Sequence, residues 1–196
     1  MDYFRYHSTN CFFIKSKNAD AYLAVDAGWP CSLREYQRAL KAIGIRFQQL
    51  RFCIVTHWHM DHAGLISDFL EQGIRCFLVE KQSYEDIDEM ERVIRKNYKE
   101  YKEIDKSKLE RASIVDMNEL LAREGFGGET LVTIGHSPDS ISYITEEKEA
   151  IVGDLVPFDQ IMDDIKSEES WDSIRRQGAK VAFQSHSAET PIGRII

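Results

Sequence analysis

The sequence predicts an α+β fold in which two β-sheets pack face to face and helices flank them. Short apolar, β-branched segments recur toward both ends of the chain, and amphipathic helical patterns occupy the middle. A chain of 196 residues with 43% hydrophobic content is long enough for one well-packed domain and short for two. The chain contains no internal repeat or low-complexity tract. One domain is therefore expected.

The N-terminal part of the chain predicts a hairpin followed by a helix. Residues 11–14 and 21–25 are apolar and strand-like, and the polar turn 17–20 separates them. Ser32 and Glu35 have the spacing of a helix capping box. Apolar side chains then recur at helical spacing: Leu33, Tyr36, Leu40 and Ile43.

The middle of the chain predicts a strand at 75–79 and then a charged segment from about 82 to 124. Within this segment a stripe of larger side chains keeps helical spacing: Ile87, Met90, Ile94, Tyr98 and Tyr101. Glu, Lys and Arg occupy the other faces, which is typical of a solvated amphipathic helix. A last helix is expected at about 170–177.

The most informative stretch reads His57-Trp58-His59-Met60-Asp61-His62 and lies between a predicted strand at 52–56 and a predicted helix at 65–70. His57 and His59 are two residues apart, so on an extended backbone their side chains can point the same way. Asp61 and His62 lie where the chain turns into the helix. Imidazole nitrogens and carboxylate oxygens bind zinc and similar transition metals.

Three more ligand-type residues follow predicted strands later in the chain. His136 follows the apolar run at 131–134, and Asp154 follows the run at 150–152. His186 follows the run at 180–183. The alternative of a Ser–His–Asp triad is weaker, because the chain has no Gly-x-Ser-x-Gly turn for the nucleophile.

The His-x-His-x-Asp-His motif after a strand resembles the signature of the metallo-β-lactamase-fold hydrolases. The later ligand-type residues follow in the order of that family, and residues 24–28 resemble its first strand and acidic turn. The resemblance extends from about Asn10 to His186. It implies a four-layer αβ/βα sandwich formed by one domain, residues 1–196, with a helical insertion at about 82–124.

The resemblance also implies a dinuclear metal site. His57, His59 and His136 would bind one metal ion. Asp61, His62 and His186 would bind the second, and Asp154 would bridge the two. The expected cofactors are two Zn²⁺ ions, with iron or manganese as alternatives. The ions would share a hydroxide as the nucleophile, and Asp61 would be the catalytic residue that moves the proton.

Two turns depart from the family pattern. Asp139 stands where the turn after the middle histidine usually has glycine, and Ser185 and Ser187 replace the glycines on either side of the last histidine. Aspartate tolerates a left-handed backbone better than most residues. We therefore expect Asp139 either to take that conformation or to orient a histidine.

The implied function is hydrolysis of a small ester, thioester or lactone. Few residues follow His186, so the helical C-terminal domain of glyoxalase II-like members is not expected. One alternative is an iron-dependent oxidoreductase similar to the persulfide dioxygenases of the same fold. A small phosphodiesterase and a non-catalytic binding scaffold are further alternatives.

Substrate contacts are expected from aromatic residues near the ligands. The candidates are Trp58, Phe158 and Tyr98, together with Tyr101 in the charged segment. For Trp58 the alternative is a ring packed beneath the metal-binding loop. His7 lies in a polar stretch and is expected at the surface or at the rim of the site.

Composition restricts the partners. The net charge of −8 disfavours nucleic acid, and no apolar stretch is long enough to span a membrane. The cysteines have no metal-binding spacing, and Cys53 and Cys76 lie in strand-like runs, so free core thiols are expected. The start of the chain lacks a signal-peptide pattern. We expect a cytoplasmic protein with a small-molecule substrate, and the sequence leaves its oligomeric state open.

Overall fold

Apolar side chains on alternating positions allow each strand to bury one face between the sheets and the other beneath a helix. The computed structural model describes residues 1–192 of the chain. In these residues the strands form a six-stranded and a five-stranded sheet. The first sheet has the order β1-β2-β3-β4-β5-β6: β1 (Asp2–Tyr6), β2 (Thr9–Lys15), β3 (Tyr22–Val25), β4 (Leu50–Ile54), β5 (Arg75–Val79) and β6 (Glu110–Ala112). The second has the order β11-β10-β9-β8-β7: β7 (Gly128–Val132), β8 (Ile141–Thr145), β9 (Glu149–Gly153), β10 (Val181–Gln184) and β11 (Thr190–Pro191).

Six α-helices connect the strands in the described part of the chain. They are α1 (Leu33–Ala42), α2 (Met60–Ala63), α3 (Ile66–Glu71), α4 (Tyr84–Asn97), α5 (Ile114–Arg123) and α6 (Ile165–Arg176). The helix α4 begins at a capping box, because the Ser83 hydroxyl accepts from the backbone N–H of Asp86 and Asp86 accepts in return from Ser83. Residues of α1, α3 and α4 pack on one sheet, and those of α6 pack on the other.

Three clusters of buried side chains hold these layers together. Phe12, Phe52 and Ile151 belong to the cluster between the two sheets. Tyr36 belongs to the cluster under the helices of the first sheet, and Trp171 belongs to the cluster under α6. Truncating a fully buried phenylalanine such as Phe52 to alanine costs about 3–5 kcal/mol of folding free energy. The predicted sandwich of two sheets between helices is confirmed.

The direction of the strands determines where polar loops meet. The strands β3 and β4 pair in parallel, as do β9 and β10, while β7 and β9 both pair antiparallel to β8. The carboxyl ends of β7, β9 and β10 therefore lie at the same edge of the second sheet. The loop after β4 meets this edge, because the Ile141 backbone N–H donates to the carbonyl of Thr56 at 2.8 Å.

The structure agrees with several predicted elements and corrects others. The predicted hairpin is confirmed, because β2 and β3 pair antiparallel, and β5 has the predicted bounds. The capping box at Ser32 is wrong, since its hydroxyl donates instead to the carbonyl of Trp29 at 2.6 Å. The helix α6 begins at Ile165, five residues earlier than expected. The segment 82–124 contains α4 and α5, and it also contains β6, which the sequence did not predict.

All four cysteines are free in the structure, and Cys11, Cys53 and Cys76 are buried while Cys31 is exposed. Among residues 1–192, no helix combines the length and the apolar character that crossing a membrane requires.

Candidate metal centre

The loops at the carboxyl ends of four strands bring all seven predicted ligand residues into one cluster. His57 and His59 follow β4, and the short helix α2 carries Asp61 and His62. The residues from the second sheet follow β7, β9 and β10 respectively: His136, Asp154 and His186. Three overlapping groups of these side chains have their ligand atoms within 4.8 Å of one another.

The first group consists of three histidines. The Nε2 atom of His57 lies 3.0 Å from Nδ1 of His59, and Nε2 of His136 lies 3.1 Å from the same Nδ1. The carboxylate of Asp154 is farther away, with Oδ2 at 3.9 Å from His57 and 3.7 Å from His136. Three ring nitrogens thus converge on one point, which is the arrangement of ligands around a cation rather than of donors and acceptors in a chain.

The second group has donor–donor distances that fit a metal ion closely. The Nε2 atom of His62 lies 3.4 Å from Oδ2 of both Asp61 and Asp154. The Nε2 atom of His186 lies 3.3 Å from Asp61 and 3.2 Å from Asp154. Zinc–ligand distances of about 2.0–2.1 Å in a tetrahedron place neighbouring ligand atoms about 3.3 Å apart. Nε2 of His62 and Oδ1 of Asp154 are also buried without a hydrogen-bond partner, so the residues present fit a bound metal.

A buried carboxylate below the cluster orients its inner histidine. Asp26 is fully buried, and its carboxylate accepts from the backbone N–H of Thr56 at 2.7 Å and from the Thr56 hydroxyl. It also accepts from Nδ1 of His62 at 2.9 Å. With the proton held on Nδ1, the Nε2 atom of His62 is free to bind a metal. Asp26 adopts a left-handed backbone, with φ at +69°, so local strain accompanies this contact.

Burial and neighbouring charges set the protonation of the cluster. Burial lowers the pKa of His57, and the nearby ring of His62 lowers it further. Burial would also lower the pKa of His62, but the carboxylates of Asp26 and Asp154 outweigh it and hold that pKa well above the usual range. Burial opposes ionisation of Asp61 and Asp154, yet His62 holds both pKa values below the usual range. A proton on His62 and a metal ion there would compete for Nε2, because both neutralise these carboxylates.

The β1–β2 hairpin supports the cluster from the N-terminal end of the chain. The hydroxyl of Thr9, which is fully buried, donates to Oδ2 of Asp61 at 3.0 Å. The indole N–H of Trp29 donates to that hydroxyl at 3.1 Å. Nδ1 of His186 donates to the carbonyl of Ser8 at 2.8 Å. One turn of the chain therefore fixes ligand residues from both sheets.

Two further contacts join the hairpin to the loop after β10. The side-chain amide of Asn10 donates to the carbonyls of Gln184 and Ser187, at 2.8 and 3.0 Å. Its backbone N–H donates to the carbonyl of Ser185. The turn around His186, where the chain has serine instead of glycine, is thus held by an asparagine side chain.

Gly153 permits the close approach of Asp154 to the loop after β4. Its φ is +59°, and a Cβ atom at this position would lie 2.7 Å from the hydroxyl oxygen of Thr56. Any larger residue would therefore push β9 away from the hydroxyl that Asp26 holds.

Asp139 does not take the left-handed conformation that we expected, since it is not among the residues with positive φ. It is buried, and its Oδ2 accepts from the backbone N–H of Trp58 at 2.7 Å while Oδ1 accepts from the Ser137 hydroxyl. Asp139 thus connects the loop of His136 to the loop of His57 and His59 through the backbone rather than through a histidine ring.

The predicted aromatic contacts lie in different places. Trp58 is 2% exposed and belongs to the core under the first sheet, which supports the alternative of packing beneath the loop. Phe158 is exposed and lines an apolar pocket beside the metal centre. Tyr98 lines a separate cleft with Trp29 and the exposed His7. Tyr101 lines neither cleft, and its hydroxyl donates to Glu91.

Sequence reasoning missed the residues that support the ligands. For Asp26, the sequence offered a single indication, which was the resemblance of residues 24–28 to the family's first strand and acidic turn. Thr9 and Asn10 lie in a polar stretch without any motif, and only their contacts in the folded chain reveal their role. Their burial on the strand β2 is the unusual feature, because threonine and asparagine are mostly exposed in proteins.

Comparison with known proteins agrees with this architecture. The sequence profile of the family described as the metallo-beta-lactamase superfamily matches residues 5–186. A metallo-beta-lactamase family protein from Thermus thermophilus is 18% identical with a TM-score of 0.67, covering 93% of this chain and 70% of that one. Comparison with curated proteins gives no match.

Two further solved structures have the same fold. TTHA1623 in a di-iron-bound form is 14% identical with a TM-score of 0.70, covering 93% of this chain and 89% of that one. A metallo-beta-lactamase from Pontibacter korlensis is 18% identical with a TM-score of 0.64, covering 97% of this chain and 86% of that one. At these identities the likeness shows the fold alone.

Proposed function

The chain belongs to the metallo-beta-lactamase superfamily, and from this premise we propose that it is a dinuclear metal-dependent hydrolase acting on a small ester, thioester or lactone. The observation that carries the proposal is the pair of donor groups around Asp154. His57, His59 and His136 form one group, and Asp154 lies between it and the group formed by Asp61, His62 and His186.

We assign these seven residues as the metal ligands, with Asp154 shared between two ions. Zinc is the proposed metal, because imidazole and carboxylate oxygen suit its preference and the donor spacing fits a tetrahedron. Bound metal ions would polarise the substrate carbonyl and lower the pKa of a water molecule from that of bulk water to about 7.

The protein itself contributes charge, orientation and proton transfer. Asp61 is the proposed catalytic residue, because its carboxylate is ionised and reaches His62 and His186 with one oxygen atom. The hydroxyl of Thr9 holds that same oxygen. The remaining oxygen of Asp61 is then available to accept a proton from the attacking water and to pass it to the leaving group.

The open side of the cluster defines where the substrate enters. A cleft lined by His136, Asp154, Leu155, Pro157 and His186 has a volume of about 290 Å³. Such a volume suits a small molecule and is far below the size of a folded partner. A small-molecule substrate is therefore proposed. The absence of nucleic acid and membrane partners and the cytoplasmic location stay predictions.

The first test is elemental analysis of protein purified without chelators or a metal-binding tag. The hydrolase proposal expects about two zinc ions per chain and turnover in a panel of esters, thioesters and lactones. Failure to bind any metal after reconstitution would contradict the ligand assignment. Two zinc ions without turnover of any panel member would contradict the substrate class.

A second candidate is an iron-dependent oxidoreductase. The observation that favours it is the solved structure of TTHA1623 in a di-iron-bound form, which has a similar fold. The same histidine and carboxylate donors bind iron well. Mainly iron in the purified protein, together with oxygen consumption in the presence of a persulfide, would support this candidate over the hydrolase.

A further inference from the structure

An apolar pocket adjoins the metal cleft on the side of Asp154 and His186. Its volume is about 170 Å³. Its walls include Phe158, Trp171, Ala182, Pro191 and Ile192. The cleft and the pocket share two lining residues, Pro157 and Gln184. The two cavities are therefore neighbours, with Pro157 and Gln184 between them.

The aromatic wall of this pocket is held in place by the rest of the fold. The guanidinium carbon of Arg175 lies 3.5 Å from the centre of the Phe158 ring, which is a cation–π contact. The edge of Trp171 packs near the same ring, with centroids 6.3 Å apart. The indole N–H of Trp171 donates to the carbonyl of Val156 at 2.8 Å. A wall that is ordered in advance costs an occupant little entropy.

The chemistry of the lining selects a neutral, apolar occupant. Asp159 is the one charged residue that lines the pocket in the described part of the chain. The whole chain carries a net charge of −8. A carboxylate at the end of a bound chain would meet the like charge of Asp159, because Arg175 packs against Phe158 and is not among the residues that line the pocket. A hydrocarbon would contact aromatic and aliphatic carbon.

We propose that this pocket binds the apolar acyl chain of a neutral ester or thioester whose carbonyl lies at the metal centre. This inference rests on the proposed hydrolase function and names its substrate class. A volume of about 170 Å³ holds roughly five or six non-hydrogen atoms, at about 30 Å³ for each water-sized unit. The pocket therefore holds about five or six carbons of an acyl chain, in addition to those that lie in the metal cleft.

The test is a series of thioesters that share one small neutral leaving thiol, N-acetylcysteamine, and differ in the acyl group. We expect kcat/KM to rise about fourfold for each methylene that enters the pocket, so that hexanoyl reacts faster than acetyl, and to level off at longer acyl groups once the pocket is full. Succinyl should react more slowly than butanoyl of the same length. A flat series across acyl lengths would overturn the proposal.

Two variants connect this selectivity to the pocket. Phe158→Ala removes the exposed wall, and Thr190→Trp fills the pocket from an exposed position that also lines it. Each should lower the ratio of hexanoyl to acetyl kcat/KM by about tenfold. The control is Met162→Ala in the same region, because this side chain is 89% exposed and lies outside the pocket lining. An unchanged ratio in both pocket variants would overturn the assignment.

A binding measurement separates failure of this inference from failure of the hydrolase proposal. If no ester, thioester or lactone of any acyl length is cleaved, the hydrolase proposal fails, and titration with hexanoate and acetate then tests the pocket alone. The expected result is that hexanoate, and not acetate, shifts the NMR signals of the Trp171 indole N–H and the Ile192 methyl groups. Equal or absent shifts would overturn the pocket assignment.

Discussion

The two sheets contribute unlike halves to the metal centre. On the first sheet, the side chains of His57 and His62 are 0% exposed, and Asp26 and Thr56 hold them from below. On the second sheet, the side chain of His136 is 31% exposed, and that of His186 is 42% exposed. His59, which also follows β4, is exposed, so the molecule has a buried inner half, His57 and His62, that fixes ligand positions and an exposed outer half that leaves room for a substrate.

The two halves also differ in the kind of contact that orients the histidine. Asp26 orients His62 through its side-chain carboxylate, whereas a backbone carbonyl of Ser8 orients His186. Charged hydrogen bonds are roughly twice as strong as neutral ones. Changes to the inner half should therefore affect stability as well as chemistry, and changes to the outer half should affect mainly chemistry.

The largest expected effect comes from removing one histidine from each half. His57→Ala should lose the metal ion that His57, His59 and His136 would hold and lower kcat/KM by about 10⁴-fold, because His57 is the buried member of that ligand group. His186→Ala should keep about one metal ion and lose most activity. Elemental analysis and steady-state kinetics measure both effects.

His7→Ala is the matched control for both histidine variants, because His7 is an exposed histidine outside the three ligand groups. It should keep the metal content and the activity of the parent protein. If His57→Ala also kept two metal ions, the assignment of His57 as a metal ligand would be wrong.

The second largest effect is expected from replacing Asp26, whose carboxylate lies below the inner half. Asp26→Asn should destabilise the fold by about 3 kcal/mol, because the buried N–H groups of Thr56 and His62 lose a charged acceptor. Metal affinity should fall about 10–100-fold. Urea unfolding and competition with a chelating dye measure the two quantities. Asp163→Asn, at an exposed position, should change neither.

Metal removal should separate the halves without any mutation. A metal ion at 100 times its dissociation constant stabilises the folded state by about 2.7 kcal/mol, so a chelator should lower the melting temperature. Hydrogen exchange should accelerate mainly at 136–137 and 186–187 and stay slow at 54–57, where Asp26 still holds Thr56. Equal acceleration of hydrogen exchange in both regions would contradict the division into an inner and an outer half.

The smallest expected effect is at Thr9. Thr9→Val keeps the shape but removes the hydroxyl that holds Asp61, and should cost about 1 kcal/mol of stability. We expect kcat to fall about tenfold, and the acidic limb of its pH profile should move to higher pH, because the hydroxyl lowers the pKa of Asp61.

Thr9→Ser is the control for the role of this hydroxyl, because it restores the donor without the methyl group. It should recover most of the activity and the parent pH profile. If Thr9→Ser and Thr9→Val behave alike, Thr9 contributes packing and does not position Asp61.

The sequence could predict the ligands because they are either adjacent or placed at strand ends. Histidine and aspartate within residues 57–62 form a motif by themselves, and His136, Asp154 and His186 each follow an apolar run. The supporting residues could not be predicted in this way. Asp26 lies 36 positions from His62, and Thr9 lies 52 positions from Asp61, so neither pair forms a local pattern.

The strands β8 and β6 were not predicted from the sequence either, for related physical reasons. The strand β8 is fully buried and yet carries Ser142, whose hydroxyl pairs with that of Thr133 at 2.7 Å. Hydropathy cannot show that such a polar group is satisfied. The strand β6 is short and charged, and an ion pair between Glu110 and Arg75 helps to join it to β5. Trp58 was ambiguous because a ring beside a ligand loop can face either solvent or core.

The contact between the hairpin and the loop after β10 has a consequence for the order of folding. The pair of Ser8 and His186 is separated by 178 positions, and that of Asn10 and Gln184 by 174. Closing so long a loop is entropically costly, and it requires residues 184–187 to have been synthesised. The inner histidines can gather before that, but the complete ligand set arises only when the β1–β2 hairpin and the loop after β10 have met. Full metal occupancy therefore reports that this long-range contact has formed.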